Sequence, residues 1–260
     1  MRMYKSSFKY VFVVFLISTS AQKFYAQEIV LPDGSPEWLI QMFFKSENFS
    51  DKANYFSGEM LNDVNEQTIG EELNEKGEVY FYLFSSGENQ KAFAVNLKVN
   101  STDLDFYCYL VNSTEGWKIE AVRRFLFPGF IYAVADSLSN LSSLSESDSS
   151  TLELLKLMTS TDEYLKNYLK IRIEKFERLL QSFDENNAEL IEAAINELSL
   201  YGIFKDDVYP GCVFIQIAGI ESREVGYIYK PENSSLPVVS PRKFIFIDEV
   251  LTGWYLYRLI

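Results

Sequence analysis

Histidine is absent from the 260 residues of this chain. Its absence excludes Ser-His-Asp and Cys-His catalytic arrangements and most zinc sites, because imidazole is the base or the ligand in each of them. The chain also lacks a glycine-rich phosphate-binding loop, which removes the usual signature of a nucleotide site. We therefore predict no catalytic residue, no metal and no cofactor, and an enzyme is the least favoured class of function.

Cysteine is scarce: Cys108 and Cys212 are the only two. Each lies within an apolar run typical of a strand, and the two stand in opposite halves of the chain. One interpretation is a pair of buried thiols that pack as small hydrophobic side chains. The alternative is a disulfide between the halves, which requires an oxidising compartment and a short Cα separation that a sequence does not supply.

Long apolar runs are also missing, and the longest candidate lies near the N-terminus. Basic residues precede an apolar stretch from Tyr10 to Ile17, and small residues follow, which is the order of a secretory signal peptide. A helix that spans a bilayer needs about 20 apolar residues, so the stretch is too short to be one. We predict a signal peptide over residues 1–21 with cleavage after Ala21; cleavage after Ala26 and an uncleaved anchor are the alternatives. The protein is then exported, to the periplasm, the cell surface or the medium, with no stable membrane span after cleavage.

Positive charge is in deficit, since 37 acidic residues face 24 basic ones. Removal of residues 1–21 takes away Arg2, Lys5 and Lys9 and no acid, so the formal net charge changes from −13 to −16. A surface this acidic is repelled by phosphate backbones and anionic lipids. The composition therefore argues against nucleic acid as a partner.

The chain does contain patterns of both helices and strands. In the N-terminal part, Ser35 and Pro36 predict a helix start. The apolar residues that follow at helical spacing are Trp38, Leu39, Met42 and Phe43. Alternating runs then predict four antiparallel strands, at 79–85, 91–99, 104–112 and 117–125. We predict an α+β domain over residues 28–136.

A serine-rich segment, residues 137–151, separates this region from a differently patterned one and is predicted to be a linker or an exposed loop. Residues 152–260 are predicted to form a second domain, a helical pair followed by a four-stranded antiparallel β region. Ser160 and Glu163 predict one helix start, Asn187 predicts the next, and Gly202 is expected to end that helix. The predicted strands are 212–218, 224–231, 243–250 and 254–260.

Both halves end in a hairpin with a Gly-Trp turn, "STEGWKIEAVRRFLFP" and "LTGWYLYRLI". The simplest interpretation is that the two hairpins arose independently, because Gly permits the turn and Trp covers the sheet. A degraded duplication of one module is the alternative. Residues 36–128, with helices before long strands and the first of these turns, resemble the NTF2-like family of cone-shaped α+β domains. The resemblance implies a curved sheet around helices with a pocket at the open end of the cone. No catalytic motif of the family is matched.

Strand periodicity places Trp117, Ile119, Ala121 and Arg123 on one face, so Arg123 is expected to point into this cone. A buried guanidinium needs a partner or a ligand. The predicted pocket is lined by Arg123, Asp105, Tyr107, Tyr109, Trp38 and Trp117. The alternative is that Arg123 pairs with Asp105 or sits at the rim.

Three functional hypotheses follow. The first is a non-catalytic exported protein that binds a small apolar or amphipathic ligand in this pocket. The second is an interaction module that docks an envelope protein through its acidic surface and a β-edge. The third is an NTF2-like isomerase or hydratase, with Asp105 as the base and Tyr107 or Tyr109 as the hydrogen-bond donor.

Overall fold

A computed structural model describes residues 31–74 and 76–260 of the chain, and the predicted signal peptide lies outside these residues. The described part contains eight α-helices, one 3₁₀-helix and two antiparallel sheets of four and five strands, neither of which closes on itself. The predicted α+β class is therefore confirmed. Within the same residues, no helix combines the length and the hydropathy needed to cross a bilayer.

Short helices come first: α1 (Pro36–Phe44), α2 (Lys52–Tyr55), a 3₁₀-helix (Gly58–Asp63) and α3 (Ile69–Leu73). Helix α1 begins as predicted, because the Ser35 hydroxyl accepts a hydrogen bond from the Trp38 amide at 3.3 Å and Pro36 occupies the first turn. Helix α3 begins with a capping box in which Thr68 and Glu71 each accept from the other's backbone amide. These caps fix the helix starts without help from packing.

The first sheet is a meander of β1 (Gly77–Ser86), β2 (Gln90–Val99), β3 (Thr102–Ser113) and β4 (Gly116–Arg123). These are the four strands that the alternating pattern predicts. The period of two separates the faces of β3: Cys108 and Leu110 face the early helices, whereas Tyr107 and Tyr109 face the rest of the molecule. Gly116 closes the β3–β4 hairpin with φ 105°, a conformation that favours glycine.

A β-bulge interrupts β4, so the residues that strand periodicity places on one face lie on two faces of the sheet. Ala121 pairs with Tyr109 and Ile119 pairs with Leu110, so Glu120 is an extra residue. Ile119 consequently packs with the helices, while Ala121 lies on the opposite side of the sheet. The prediction that Ile119 and Ala121 share a face is wrong, because the extra residue shifts the alternation by one position.

Side chains fill the space between the first sheet and the early helices. The buried cluster there consists of Leu39, Ile40, Phe43, Phe44, Phe49, Phe56, Met60, Phe93, Val95, Cys108, Leu110 and Ile119. Phenylalanine rings make edge-on and tilted contacts throughout it, such as the pair Phe49 and Phe56 with centroids 5.7 Å apart. The space between the first sheet and the early helices is thus occupied by the protein's own side chains.

Five helices connect the sheets: α4 (Gly129–Ser139), α5 (Glu146–Thr159), α6 (Asp162–Ile171), α7 (Ile173–Asp184) and α8 (Ala188–Glu197). The serine-rich segment 137–151 differs from the expected linker, because α4 runs to Ser139 and α5 starts at Glu146 with Ser145 as its N-cap. The long helix expected after residue 160 is divided at Arg172. Asn187 caps α8 as predicted.

Two of the predicted helix boundaries are wrong. Thr161, not Ser160, caps α6 through a hydrogen bond from the Tyr164 amide at 3.4 Å, since Ser160 already serves as the C-cap of α5. Helix α8 ends before Gly202: Ser199 takes the positive φ of 46° that follows the helix, and Gly202 begins a strand.

The second sheet has five strands where four were predicted: β5 (Gly202–Lys205), β6 (Val213–Ile220), β7 (Arg223–Tyr229), β8 (Phe244–Leu251) and β9 (Trp254–Leu259). Their order is β5-β6-β7-β9-β8, so it differs from the simple meander of the first sheet. Gly253, at φ 79°, closes the β8–β9 hairpin. The two Gly-Trp hairpins are therefore both present, in sheets of different topology.

One hydrophobic cluster joins the two sheets. It includes Tyr107 and Tyr109 of β3 together with Leu169 and Phe176 of the helices and Phe246 of β8. Residues Leu31–Ile260 accordingly form a single compact unit. This shared core differs from the expectation of two domains separated by a linker.

Candidate functional site

A buried ion pair lies where the two sheets and α6 meet. The Arg258 side chain on β9 donates from Nε to Asp162 Oδ1 at 2.8 Å and from Nη2 to the Ser160 carbonyl at 2.8 Å. Tyr107 of β3 donates its hydroxyl to the other oxygen of Asp162, also at 2.8 Å. Arg258 is 3% exposed and Asp162 is 5% exposed, so both charges have left water and depend on one another.

The N-terminus of α6 adds a second carboxylate to this group. The Asp162 amide donates to Asp105 Oδ2 at 2.8 Å, and Asn96 Nδ2 donates to Asp105 Oδ1 at 3.1 Å. A negative group at this position is also favoured by the helix dipole. We call Asp105, Tyr107, Asp162 and Arg258 the central polar cluster.

Burial controls the acid–base properties of the cluster. It raises the pKa of Asp162 above the ordinary range, while the attraction of Arg258 and the hydrogen bonds from Tyr107 and Arg258 act in the opposite direction. Burial, with the nearby Asp162 carboxylate, also raises the pKa of Tyr107 well above its usual value. Within the described residues, every buried side-chain nitrogen and oxygen has a hydrogen-bond partner. The cluster is therefore a fully paired structural connection between β3, β9 and α6.

A cleft opens beside the cluster, between the first turns of α6 and the sheet face of β1–β3. Its volume is about 430 Å³. The sheet supplies two cross-strand rows, one of Tyr80, Asn96 and Asp105 and the other of Tyr82 and Ala94, and the second row continues to the buried Tyr107, which does not line the cleft. Because Ala94 is small, it leaves room between the larger side chains of its row.

The opposite wall of the cleft comes from α6. Thr161, Asp162, Glu163, Tyr164, Lys166 and Asn167 line it. Tyr80, Tyr82 and Tyr164 are 60%, 43% and 54% exposed, so three aromatic rings remain accessible around one opening. We call this site the tyrosine cleft.

A second ion pair closes one side of the tyrosine cleft. Lys166 Nζ lies 2.6 Å from Asp248 Oδ2 and donates to the Tyr82 hydroxyl at 2.7 Å. Tyr82 in turn donates to Asp248 at 2.9 Å. Burial of the hydroxyl and the adjacent Asp248 carboxylate raise the pKa of Tyr82. This triad joins β1, α6 and β8, and so fixes the width of the cleft at that side.

A smaller cavity of about 190 Å³ lies on the other side of Asp105, lined by residues of β3, α5 and β9 that include Tyr107 and Arg258. Asp105 contributes to both cavities. The Asp105 carboxylate is therefore held by hydrogen bonds from the protein and also borders two cavities, of which the tyrosine cleft is the larger.

The six residues of the predicted pocket are distributed over both faces of the first sheet. Asp105 and Tyr107 come together in the central polar cluster. Tyr109 donates its hydroxyl to the Ile245 carbonyl. The Arg123 guanidinium pairs with Glu59 and donates to the Pro241 carbonyl at 2.9 Å, so the expected pairing with Asp105 does not form.

The two tryptophans lie away from the cleft. Trp38 packs on the helix side of the sheet, with its ring centroid 6.0 Å from that of Phe49. Trp117 packs against the same cluster, and Lys91 Nζ lies 5.2 Å from its ring. Neither tryptophan is among the residues that line the tyrosine cleft.

The hydroxyls of Tyr107 and Tyr109 are both buried and committed to protein acceptors. The enzyme hypothesis requires an aspartate base beside a tyrosine hydroxyl that is free to donate to a substrate. Tyr107 and Tyr109 do not provide such a hydroxyl, because each already donates to a protein acceptor. The thiols of Cys108 and Cys212 are buried and unpaired with each other, in agreement with the first interpretation of the two cysteines. No cluster of acids and cysteines suited to a metal ion occurs in residues 31–74 and 76–260.

The sequence prediction missed Tyr80, Tyr82, Asp162, Lys166 and Arg258. One signal was available for Arg258: it is the single charged residue in the apolar strand "WYLYRLI", and a charge in such a strand requires a partner. Asp162 gave no such signal, because an acid in the first turn of a helix is ordinary.

Comparison with known proteins returned no matching family model, no matching curated sequence and no matching solved structure. The likeness to NTF2-like domains therefore stays a prediction from sequence pattern.

Proposed function

We propose that this chain is an exported binding protein that holds a small amphipathic ligand in the tyrosine cleft. The observation that carries the proposal is the cleft itself: about 430 Å³ of space with three exposed tyrosines around it. Ligand sites are typically concave, with aromatic walls and a few fixed polar groups. Asp105 and Asn96 supply such groups at the base of the cleft.

The rigidity of the walls supports the same proposal. The central polar cluster fixes the start of α6 against β3 and β9, and the Lys166–Asp248 pair fixes the next turn of α6 against β8. A cleft held open by buried pairs loses little conformational entropy when a ligand enters, which favours affinity. The tyrosines need only modest ordering, since each has two side-chain torsions.

A thermal-shift screen against amines, sugars, sterols and lipids tests the proposal. A ligand present at 100 times its Kd stabilises the folded state by about 2.7 kcal/mol. For a chain of this size that corresponds to a rise in Tm of roughly 5–10 °C. The double variant Tyr80→Ser/Tyr164→Ser is expected to lose the shift.

Tyr201→Ser is the matched control, because Tyr201 is 68% exposed and does not line the cleft. It should keep the full shift. If every active compound stabilised the double variant as much as the parent, the ligand site would lie elsewhere. If no compound from the four classes gave a shift, the binding proposal would be abandoned.

Export is tested separately from binding. Expression of the full sequence in a bacterial host, followed by N-terminal sequencing of the secreted or periplasmic chain, should find Gln22 as the first residue. Recovery of the intact chain in the cytoplasm would argue against the export part of the proposal.

A further inference from the structure

The side chains around the tyrosine cleft carry an excess of negative charge. The lining contains four acids, Asp103, Asp105, Asp162 and Glu163, and one base, Lys166. Two of these charges are already neutralised within the protein, since Asp162 pairs with Arg258 and Lys166 pairs with Asp248. The other three carboxylates take part in no ion pair with another described residue, although Asp105 accepts from Asn96 and the Asp162 amide and Glu163 accepts from Asn167.

Two further cations lie nearby: Lys98 on β2, and Arg124, whose guanidinium is 5.7 Å from the centroid of the Phe106 ring and which lines the neighbouring cavity together with Asp103 and Asp105. Lys98 stands opposite Asp103 in the β2–β3 register, but it also stands opposite Glu78 in the β1–β2 register. Lys98 therefore stands between two acids, and Arg258 also interacts with Asp105. Acids still outnumber bases around the cleft, so an anionic ligand would be repelled and a cationic ligand attracted.

The tyrosine side chains of the cleft also favour a positively charged ligand. Tyrosine rings present a negative face that attracts ammonium groups within about 6 Å of the ring centroid. Tyr80 and Tyr164 approach the cleft from the sheet and from α6, and both residues are more than half exposed. The cleft thus combines accessible rings with carboxylates on both of its walls.

The cleft already holds one ammonium group of the protein, between a tyrosine and a carboxylate. Lys166 Nζ lies 4.8 Å from the centroid of the Tyr82 ring, beside the hydroxyl to which it donates at 2.7 Å, and contacts the Asp248 carboxylate at 2.6 Å. Tyrosines and carboxylates also occur together elsewhere in the lining, Tyr80 and Asp105 on the sheet and Glu163 and Tyr164 on α6. Asp105 and Tyr80 belong to one cross-strand row, and Glu163 precedes Tyr164 in α6.

We propose that the tyrosine cleft binds a small organic cation of the alkylammonium class, with its methyl or methylene groups against the tyrosine rings and its charge opposite Asp103, Asp105 and Glu163. The inference rests on the proposed binding function and adds the chemical class of the ligand. A neutral compound of the same shape would keep the ring contacts and lose the electrostatic attraction, so shape and charge can be tested apart.

Three isosteric probes separate these contributions: choline, its neutral carbon analogue 3,3-dimethylbutan-1-ol, and the anion 3,3-dimethylbutanoate. Isothermal titration of the mature chain at low ionic strength is expected to give a Kd for choline at least tenfold lower than for the neutral analogue, and no binding of the anion. Choline affinity should fall as salt is added, because salt screens charges in an open cleft.

Variants of the carboxylates locate the effect. Asp103→Asn/Glu163→Gln removes two charges from the cleft and leaves the central polar cluster intact; it should weaken choline binding at least fivefold. Asp207→Asn/Glu232→Gln makes the same change in net charge at two exposed acids outside the cleft lining and should leave the affinity unchanged.

The outcomes distinguish this inference from the function on which it rests. Equal affinity for choline and the neutral analogue would overturn the cationic class and keep the cleft as a binding site. The same would follow if choline failed to bind while an uncharged sugar or sterol gave a thermal shift that Tyr80→Ser/Tyr164→Ser abolished. Equal losses in the two charge variants would mean that the net charge of the protein, not the cleft, attracts the cation.

Discussion

Replacement of Arg258 by methionine should destabilise the protein strongly at neutral pH. Methionine fills most of the apolar volume of the arginine stem, so the main loss is electrostatic. The change removes the 2.8 Å ion pair to Asp162 and the 2.8 Å hydrogen bond to the Ser160 carbonyl. Removing one member of a buried pair leaves the other charge uncompensated and costs about 3–5 kcal/mol.

The loss should depend on pH in a defined direction. Without Arg258, the pKa of Asp162, already raised by burial, rises further above the value of an unfolded chain, near 4. The folded variant then holds a proton more tightly than the unfolded variant. The contribution of Asp162 to its stability is therefore fully present below about pH 4 and is lost as the pH rises through the folded-state pKa. The deficit relative to the parent should be largest at neutral pH and smaller in mild acid.

Urea unfolding followed by circular dichroism, at about pH 7 and about pH 4.5, measures both effects. Arg223→Met is the matched control: Arg223 also lies in a strand, but its pair with Glu221 is at the surface, where such pairs contribute about 0–1 kcal/mol. Asp162→Asn combined with Arg258→Met should recover at least half of the loss, because no charge is then buried alone. A single-variant loss below about 1 kcal/mol would refute the structural role of the cluster.

Two further predictions concern other parts of the fold. Glu71→Gln should cost about 2 kcal/mol at pH 7, because Glu71 pairs with Lys52 at 2.6 Å and accepts from the Thr68 and Phe49 amides. Burial opposes ionisation of Glu71, but these partners outweigh it and hold its pKa at about 2, against an ordinary value of 4.5. This stabilisation is complete above pH 4.5 and is lost as the pH falls toward 2, so acid titration of the two proteins should make their unfolding free energies converge; a constant difference would contradict the account. Gly226→Ala should cost about 2 kcal/mol, because a Cβ atom there would lie 2.3 Å from the Ile215 carbonyl oxygen. Gly202→Ala, with no atom within 4 Å of the added carbon, should be close to neutral in the same unfolding assay, and equal effects of the two changes would contradict this packing argument.

Local chemistry accounts for the parts of the fold that the sequence predicts well. Ser35 before Pro36 specifies the start of α1, and Asn187 specifies the start of α8, through hydrogen bonds that involve only neighbouring residues. The strands of the first sheet follow from alternation, which reports burial on one face. Each of these signals is contained within a few residues of the chain.

The features that depend on tertiary contacts were not predictable in the same way. The extra residue Glu120 shifts the register of β4 and reverses the face of every side chain after it. Strand β5 has four residues and pairs along its whole length with β6, so its extended form is set by its neighbour.

The candidate site illustrates the same limit. Tyr80 on β1 and Tyr164 on α6 are 84 positions apart in sequence, and only the packing of α6 onto the sheet brings them to one cleft. Asp105 was predicted as a pocket residue and does line the cleft, but its predicted partners Arg123 and Tyr109 face other contacts. Sequence patterns identify which strands carry polar side chains, whereas the partners of those side chains are set by tertiary packing.

The position of a bound cation tests the central claim most directly. Crystals of the mature chain soaked with tetramethylarsonium, an ammonium analogue whose arsenic atom scatters anomalously, would locate the charge without ambiguity. The account predicts an anomalous peak in the tyrosine cleft, within about 6 Å of the Tyr80 or Tyr164 ring centroid, on the side of Asp103, Asp105 and Glu163. A peak elsewhere on the acidic surface, or an empty cleft at saturating concentration, would contradict it.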